Sequence, residues 1–272
     1  MMAQRTSPGR FSAARILRAG YRRVCRLRIR ARWLGRDIRQ SRQQIPPILE
    51  CPVCLGRGAN ETYKILQSRC IFGGGVLVRH ECPRCGVIFG PQKMLALTPR
   101  ELDSDYRAHY SCFSEGDTRA AVMEAFRHLD PRPGRRYLNY GCGRWSAART
   151  EMRAQGFDVV GFDPYVTDAE DPRMIRDSGL LAAMRFDGIM SHNLLEHLAD
   201  PRSALAFMAS LLNEDGVMVH STECFEYRHE YSRFHLFFFT GNSLQPLLEN
   251  AGLRCAAAPA STIRIFKPIR AL

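Results

Sequence analysis

The chain has 272 residues, of which 45% are hydrophobic and 24% charged, a balance that is typical of a globular protein and excludes a disordered or collagen-like chain. The net charge of +12 suggests a nucleic-acid-binding protein until that charge is located along the chain. Residues 1–45 contain 13 Arg and a single acid, Asp37, so they carry the whole net charge and the other 227 residues carry none. Electrostatic arguments about partners therefore apply to this arm alone.

An amphipathic helix is predicted over residues 9–40 of the basic arm (residues 1–45). One face carries apolar side chains at mostly three- and four-residue spacing, with Gly20 in the gap: Leu17, Val24, Leu27, Ala31, Leu34 and Ile38. Three interpretations stay open: a helix lying on an anionic membrane surface, an arm that contacts nucleic acid, and a helix packed on the body or on a partner. An Arg-rich, acid-poor start also resembles an organelle transit peptide.

The compartment is inferred from what the sequence lacks. No apolar run reaches the roughly 18 residues that a spanning helix needs. No apolar core of a secretory signal follows the first residues. We expect a cytoplasmic protein, peripheral at a membrane if the arm binds lipid.

Residues 46–92 are predicted to form a zinc ribbon. Cys51 and Cys54 belong to one Cys-Pro-x-Cys turn, and Cys82 and Cys85 belong to a second. Two such turns can place four thiolates around one metal, and strand-like segments lie between them. Four cysteine ligands leave no open coordination position, so the predicted Zn²⁺ is structural and the compartment reducing. A redox dithiol is the alternative.

The remaining chain divides into a helical connector, residues 93–133, and an α/β domain, residues 134–272. A short apolar run ends at Gly141 and Gly143, a helix-like segment follows, and a second apolar run ends at Asp163, 20 residues after Gly143. This is the layout of a nucleotide-binding half of a doubly wound sheet, in which glycines let the backbone approach a ligand and the acid accepts ribose hydroxyls. A tight turn without a ligand is the alternative.

Several ordered motifs together resemble class I S-adenosylmethionine-dependent methyltransferases. The first is Tyr-Leu-Asn-Tyr-Gly-Cys-Gly at residues 137–143, which is similar to the family's Leu-Asp-Ile-Gly-Cys-Gly. The others are Phe-Asp-Gly-Ile at 186–189, Leu-Glu-His-Leu at 195–198, the turn at 211–216, and His-Leu-Phe-Phe-Phe-Thr at 235–240 with Glu-Asn-Ala-Gly-Leu at 249–253. The resemblance covers about residues 50–267 and extends to a subgroup that carries an N-terminal Cys₄ zinc ribbon.

The resemblance implies a fold, a cofactor and an acceptor class. The fold is a doubly wound, mostly parallel, seven-stranded Rossmann-like sheet, preceded by the ribbon and the basic amphipathic helix. The cofactor is S-adenosylmethionine, and the acceptor is a small molecule such as a sugar or a lipid-linked metabolite. The implied cofactor-binding residues are Asn139, Gly141, Cys142, Gly143, Asp163, Asp177 and Asn193.

His235 is the candidate general base for an acceptor that must lose a proton. The supporting glutamate of related sugar methyltransferases is missing, and Glu223, Tyr227 or Tyr231 could replace it. The aromatic loop over residues 225–239 is either an acceptor lid or ordinary core.

Two positions depart from the family pattern. Asn139 stands where the family has an acid, and Trp145 where it has a third glycine. Both changes keep open a catalytically degenerate, methyltransferase-like binding or scaffold protein. A second alternative is a methyltransferase that acts on RNA or protein and uses the ribbon and the basic arm for docking.

Overall fold

The computed structural model describes residues 13–41, 46–113, 116–143, 147–166 and 171–269, and in the first helix it describes the side chains of residues 20–38 only. Trp145 lies outside these residues. No helix in the described ranges is long and apolar enough to cross a membrane.

Helix α1 (Ala13–Ser41) packs on the body through a face that the predicted apolar stripe does not include. Cys25, Ile29 and Trp33 follow one another at four-residue spacing and are only 4%, 3% and 1% exposed. A disulfide joins Cys25 to Cys112. The two Cys-Pro-x-Cys pairs, which favour a reducing compartment, do not predict this disulfide. Among the interpretations of the arm, packing on the body therefore holds for one face of the helix.

The predicted ribbon contains two antiparallel sheets. Strands β1 (Ile48–Glu50) and β2 (Arg57–Ala59) form a hairpin around the first Cys-Pro-x-Cys turn. Strands β3 (Lys64–Arg69), β4 (Val76–Glu81) and β5 (Ile88–Phe89) pair in order, with the second turn between β4 and β5.

Three helices form the connector. They are α2 (Gln92–Leu95), α3 (Pro99–Tyr110) and α4 (Arg119–Arg127). Helix α3 begins at a capping box, in which the Thr98 side chain accepts from the Glu101 backbone N–H and the Glu101 carboxylate accepts from the Thr98 N–H.

The body alternates strands and helices. Its elements are β6 (Arg136–Tyr140), α5 (Ala147–Ala154), β7 (Asp158–Phe162), β8 (Met174–Ile175), α6 (Ser178–Ala182), β9 (Phe186–His192), α7 (Pro201–Ser210), β10 (Leu212–Ser221), β11 (Phe237–Phe238), α8 (Leu244–Glu249), β12 (Leu253–Ala260) and β13 (Ile263–Pro268).

Seven of these strands form one sheet in the order β12-β13-β10-β9-β6-β7-β8. Strands β8, β7, β6, β9 and β10 are parallel, whereas β13 runs antiparallel to both of its neighbours. The structure confirms the predicted mostly parallel, seven-stranded α/β sheet. The chain order reverses between β6 and β9, and ligands of such sheets bind at this switch point, beside the carboxyl ends of the strands.

Consecutive residues of the central strands alternate between two hydrophobic clusters. Val159 of β7 and Met190 of β9 pack with α4 and α5, while their neighbours Val160 and Ile189 pack with the cluster on the opposite face. This period of two buries both faces of the sheet and leaves its strand ends available for a site.

The ribbon and the body share a sheet. Strand β11 of the body pairs antiparallel with β5, which gives a four-stranded sheet in the order β11-β5-β4-β3. Residues 46–92 therefore supply three of its four strands, and the fourth comes from the loop that carries His235.

Candidate functional site

A glycine loop follows β6 at the switch point. Gly141 and Gly143 have φ angles of +67° and +59°, which side-chain-bearing residues rarely adopt. The N–H groups of Gly141 and Cys142 donate to the Phe162 carbonyl oxygen at 2.8 and 3.1 Å. A Cβ on Gly141 would lie 2.5 Å from the Leu194 side chain, whereas the same position on Gly143 meets no described atom within 4 Å. Among the described residues, nothing lies against the backbone of the loop at Gly143.

Asp163 closes this loop from the end of β7. Its Oδ2 accepts the Gly143 N–H at 3.0 Å, and its Oδ1 accepts the Tyr165 N–H at 2.9 Å. Burial raises the pKa of the Asp163 carboxyl above its usual value. The structure therefore brings together four predicted residues, Gly141, Cys142, Gly143 and Asp163, at the ends of two neighbouring parallel strands.

The other predicted cofactor-binding residues differ in placement. Asn139 lies inside β6, is 5% exposed, and its side chain forms no hydrogen bond within the described ranges. Asn193 follows β9 with a φ of +48°, and its N–H donates to the Ser221 backbone carbonyl oxygen at 2.8 Å. Asp177 caps α6, since its Oδ1 accepts the Leu180 N–H at 2.9 Å. The Asp177 carboxylate thus already has a structural role.

A buried arginine holds the loop from behind, and sequence reasoning missed it. Arg149 of α5 is fully buried and pairs with Asp171 at 3.2 Å. Its Nη1 also donates to the Cys142 carbonyl oxygen at 3.3 Å. Arginine on the buried face of a short helix gives no signal in hydrophobic periodicity, so the pattern alone could not reveal this contact.

His235 lies among buried polar groups. Its Nδ1 is 3.1 Å from the His229 carbonyl oxygen and 3.5 Å from Cys224 Sγ. Because a carbonyl oxygen can only accept, Nδ1 carries the proton and Nε2 is left to accept one. Burial lowers the pKa of His235 well below its usual value, so the ring is neutral at physiological pH.

None of the three predicted supporting groups contacts this imidazole. Glu223 pairs with Arg228, Tyr227 packs on Phe238, and Tyr231 hydrogen-bonds His229. The aromatic loop is largely core, because Phe225, Phe234 and Phe237 are each no more than 5% exposed.

Glu196, which sequence reasoning did not select, lies beside His235 instead. Its carboxylate, the Cys224 thiol and an imidazole nitrogen of His235 lie within 4.8 Å of one another. Thr222 Oγ1 donates to Glu196 Oε1 at 2.6 Å, and Oε2 has no partner among the described residues. Burial raises the pKa of Glu196 to about 7. Its position in the Leu-Glu-His-Leu motif was the available signal.

Helix α3 adds an aromatic wall, although its sequence predicts only a connector. Tyr106 stacks on Phe234 with ring centroids 4.4 Å apart, and its hydroxyl is 3.2 Å from His197 Nδ1. The His197 and His235 rings are 5.1 Å apart. The family's Glu-His pair, the connector and the candidate base therefore meet in one cluster, which we call the histidine cluster (Tyr106, Glu196, His197, Cys224 and His235).

Comparison with known families identifies the domain that holds both sites. A family model described as a methyltransferase domain matches residues 109–258, which is more than half of the chain. The chain belongs to the methyltransferase-domain family. This match includes the glycine loop, Asp163 and most of the histidine cluster, and it excludes α1 and the four cysteines. No curated protein matches the chain.

Solved structures of methyltransferases are similar at low identity. A TehB-like SAM-dependent methyltransferase from Corynebacterium glutamicum is 22% identical, over 61% of this chain and 95% of that chain, with a TM-score of 0.38. CalO1, a methyltransferase in calicheamicin biosynthesis with SAH bound, is 16% identical, over 62% of this chain and 58% of that chain, with a TM-score of 0.44. Magnesium protoporphyrin IX methyltransferase from Synechocystis, with bound SAM, is 16% identical, over 55% and 76%, with a TM-score of 0.38.

Four cysteines converge outside the methyltransferase domain. Cys51 Sγ lies 3.8 Å from Cys85 Sγ, and Cys54 Sγ lies 3.7 Å from Cys82 Sγ. A tetrahedral site with Zn–S bonds of about 2.3 Å requires sulfur–sulfur separations of about 3.8 Å. Thus these four thiols fit a candidate zinc centre.

Proposed function

We propose that this chain transfers a methyl group from S-adenosylmethionine to a small-molecule acceptor. The observation that carries the proposal is the glycine loop closed on Asp163 at the switch point of a methyltransferase-family sheet. When bound, S-adenosylmethionine supplies an electrophilic methyl group on a positively charged sulfur. Holding the acceptor in line with that group is the main task of the protein.

Gly141, Cys142 and Gly143 would line the methionine and ribose portions, with Gly143 offering the closest backbone approach. Asp163 would accept the ribose hydroxyls, since its two backbone hydrogen bonds leave further lone pairs on each oxygen. Asn193 would border the cofactor from β9. Asp177 is the weakest of the proposed contacts because its carboxylate already caps α6.

His235 is proposed as the general base for an acceptor with an acidic O–H or C–H. Its Nε2 is the atom that would receive the proton, and Glu196 is near enough to stabilise the resulting imidazolium. The same cluster makes a small acceptor the best candidate, because Glu196 and Cys224 are buried and the other three members are partly buried, so they do not form an open surface. The body also has no net charge to attract RNA.

We further propose that Cys51, Cys54, Cys82 and Cys85 bind one structural Zn²⁺. Four thiolates would complete its tetrahedral coordination and leave no position for a substrate. The zinc would fasten β1 and β2 to the sheet that β11 completes.

The function is tested with methyl-tritiated S-adenosylmethionine, a cell extract and the full chain. We expect label in the small-molecule or lipid fraction, and a His235→Gln variant with turnover lower by about 100-fold, near the smaller end of general-base effects because the neutral base is weak. His229→Gln is the matched control in the same loop. Label in precipitated RNA or protein would favour an RNA or protein acceptor. No methyl transfer by the folded, unmodified chain would favour the scaffold alternative.

A further inference from the structure

Over residues 20–38, whose side chains the structure describes, helix α1 is fixed to the body along one face. Besides the buried face of Cys25, Ile29 and Trp33, Asp37 accepts from Lys93 Nζ at 2.7 Å. Arg36 pairs with Glu101 of α3 at 2.7 Å. These contacts decide which side of the helix is turned away from the protein.

The outward side carries the apolar stripe that the sequence predicts. Val24, Leu27, Leu34 and Ile38 are 48%, 55%, 60% and 48% exposed, and Ala31 between them is exposed as well. At about 100° per residue these five positions fall within an arc of about 80° that is centred opposite Ile29. The helix therefore has two apolar faces, of which only one is covered by the body.

Arginines border this outward stripe on both sides. Arg23 and Arg30 lie along one edge and Arg28 along the other, and all three are exposed. None of them forms an ion pair in the part of the chain that the structure describes. The one acid of the helix, Asp37, is engaged with Lys93.

We propose that this outward face of α1 binds an anionic lipid surface, with the helix axis in the plane of the membrane. An apolar stripe with arginines on both edges matches the acyl boundary and the headgroups of such a surface. A phosphate backbone would meet apolar side chains at the centre of the face instead of cations. A second copy of the helix would place its own arginines against the arginines of this face, and these like charges would repel each other.

The docked face is joined to the histidine cluster through side chains. Trp33 Nε1 donates to Asp105 Oδ1 at 3.2 Å, and Arg233 Nε donates to Asp105 Oδ2 at 2.7 Å. Asp105 and Tyr106 are neighbours on α3, and Arg233 precedes Phe234. A membrane-bound α1 would thus hold the cluster at a fixed distance from the lipid. Lipid binding itself does not depend on the proposed methyl transfer.

Vesicle sedimentation of the full chain tests this inference. We expect binding to phosphatidylcholine vesicles that contain phosphatidylserine, little binding to phosphatidylcholine alone, and weakening as salt rises. Leu27→Asn with Leu34→Asn should weaken binding about tenfold or more. Replacing Arg23, Arg28 and Arg30 with glutamine should weaken vesicle binding about 100-fold, since each arginine contributes about 1 kcal/mol.

The matched control is Ile65→Asn with Leu180→Asn, which changes two apolar side chains on other surfaces that are 50% and 69% exposed, a range that includes the values of Leu27 and Leu34. It should bind as the unmodified chain does, and near-ultraviolet circular dichroism should be the same for all variants. The inference fails if anionic vesicles do not bind the chain, or if the stripe variant binds as tightly as the control. It also fails if neither the unmodified chain nor any variant binds vesicles and the stripe variant instead loses dimerisation or RNA binding.

Discussion

Asn139 stands where the family pattern has an acid, and the structure describes its surroundings. It is buried in β6, one residue before Tyr140 and the glycine loop, and its side chain has no hydrogen-bond partner among the described residues. A neutral amide at this position can bind the amino group of the cofactor but adds no attraction for a positive sulfur.

The variant Asn139→Asp should therefore change selectivity between two ligands. S-adenosylmethionine carries the positive sulfur and S-adenosylhomocysteine does not, so we expect the ratio of their affinities to rise by about tenfold in favour of the former. Calorimetric titration of both ligands measures the ratio. An unchanged ratio would mean that position 139 lies too far from the sulfur to act on it.

The sequence predicts the glycine loop well because its determinants are local. Gly141, Gly143 and Asp163 lie within one strand–loop–helix–strand unit, in which Gly143 donates to Asp163 and Gly141 donates to the neighbouring Phe162 carbonyl oxygen. Tyr106 was missed because its role depends on a contact between residues about 90 positions apart, the Tyr106–His197 hydrogen bond. No periodicity within α3 encodes that distance. Glu196 lies in a motif that the sequence shows, but its proximity to Cys224 and His235 is a tertiary contact.

At the scale of elements, the sequence predicts where strands and helices lie along the chain better than it predicts how they pack against each other. The first predicted apolar run forms β6 just before the glycine loop, and the second forms β7, which ends at Phe162 just before Asp163. Strand β12 was not predicted, because its Ala-rich, mostly exposed sequence lacks strand patterning. The face by which α1 packs was also not predictable, since the helix carries two apolar stripes and only tertiary contacts choose between them.

The pairing of β5 with β11 makes zinc removal a test of element coupling. We expect a Cys54→Ser variant to lose its zinc and to lower Tm by about 6 °C or more, on a scale of about 2–4 °C per kcal/mol for domains of this size. The transition should remain single, because the ribbon sheet includes a strand of the body. Cys255→Ser, which changes an exposed free cysteine, is the control. Full zinc content in Cys54→Ser, or an unchanged Tm, would remove the proposed site.

At the scale of the whole molecule, buried titratable groups should make stability depend on pH. Burial lowers the pKa of His109 to about 4 and that of His220 to about 3, whereas it raises the pKa of Glu196 to about 7. The histidines are neutral in the folded chain and protonated in the unfolded chain below about pH 6.5, so their stabilising contribution is lost as pH falls. Glu196 acts in the opposite direction between about pH 4.5 and 7.

We therefore expect the free energy of unfolding to fall as pH is lowered from 6.5 to 4.5. Each histidine contributes up to about 1.4 kcal/mol per pH unit and Glu196 offsets one such slope, which leaves a net loss of about 1.4 kcal/mol per pH unit from these three groups. Urea unfolding across this range measures the slope. His220→Asn should flatten it, and an equal slope in that variant would show that His220 is not buried as a neutral ring.

Ligand binding at the glycine loop is the central claim for the molecule as a whole. Calorimetric titration with S-adenosylmethionine and S-adenosylhomocysteine tests it most directly, in the unmodified chain, in Asp163→Ala, and in Asp200→Ala as a control that removes the cap of α7. We predict one site per chain, binding lost or weakened at least about 100-fold in Asp163→Ala, and binding kept in Asp200→Ala at a cost of about 1 kcal/mol in stability. No binding at millimolar ligand, or equal affinity in the folded Asp163→Ala variant, would contradict the assignment of this site.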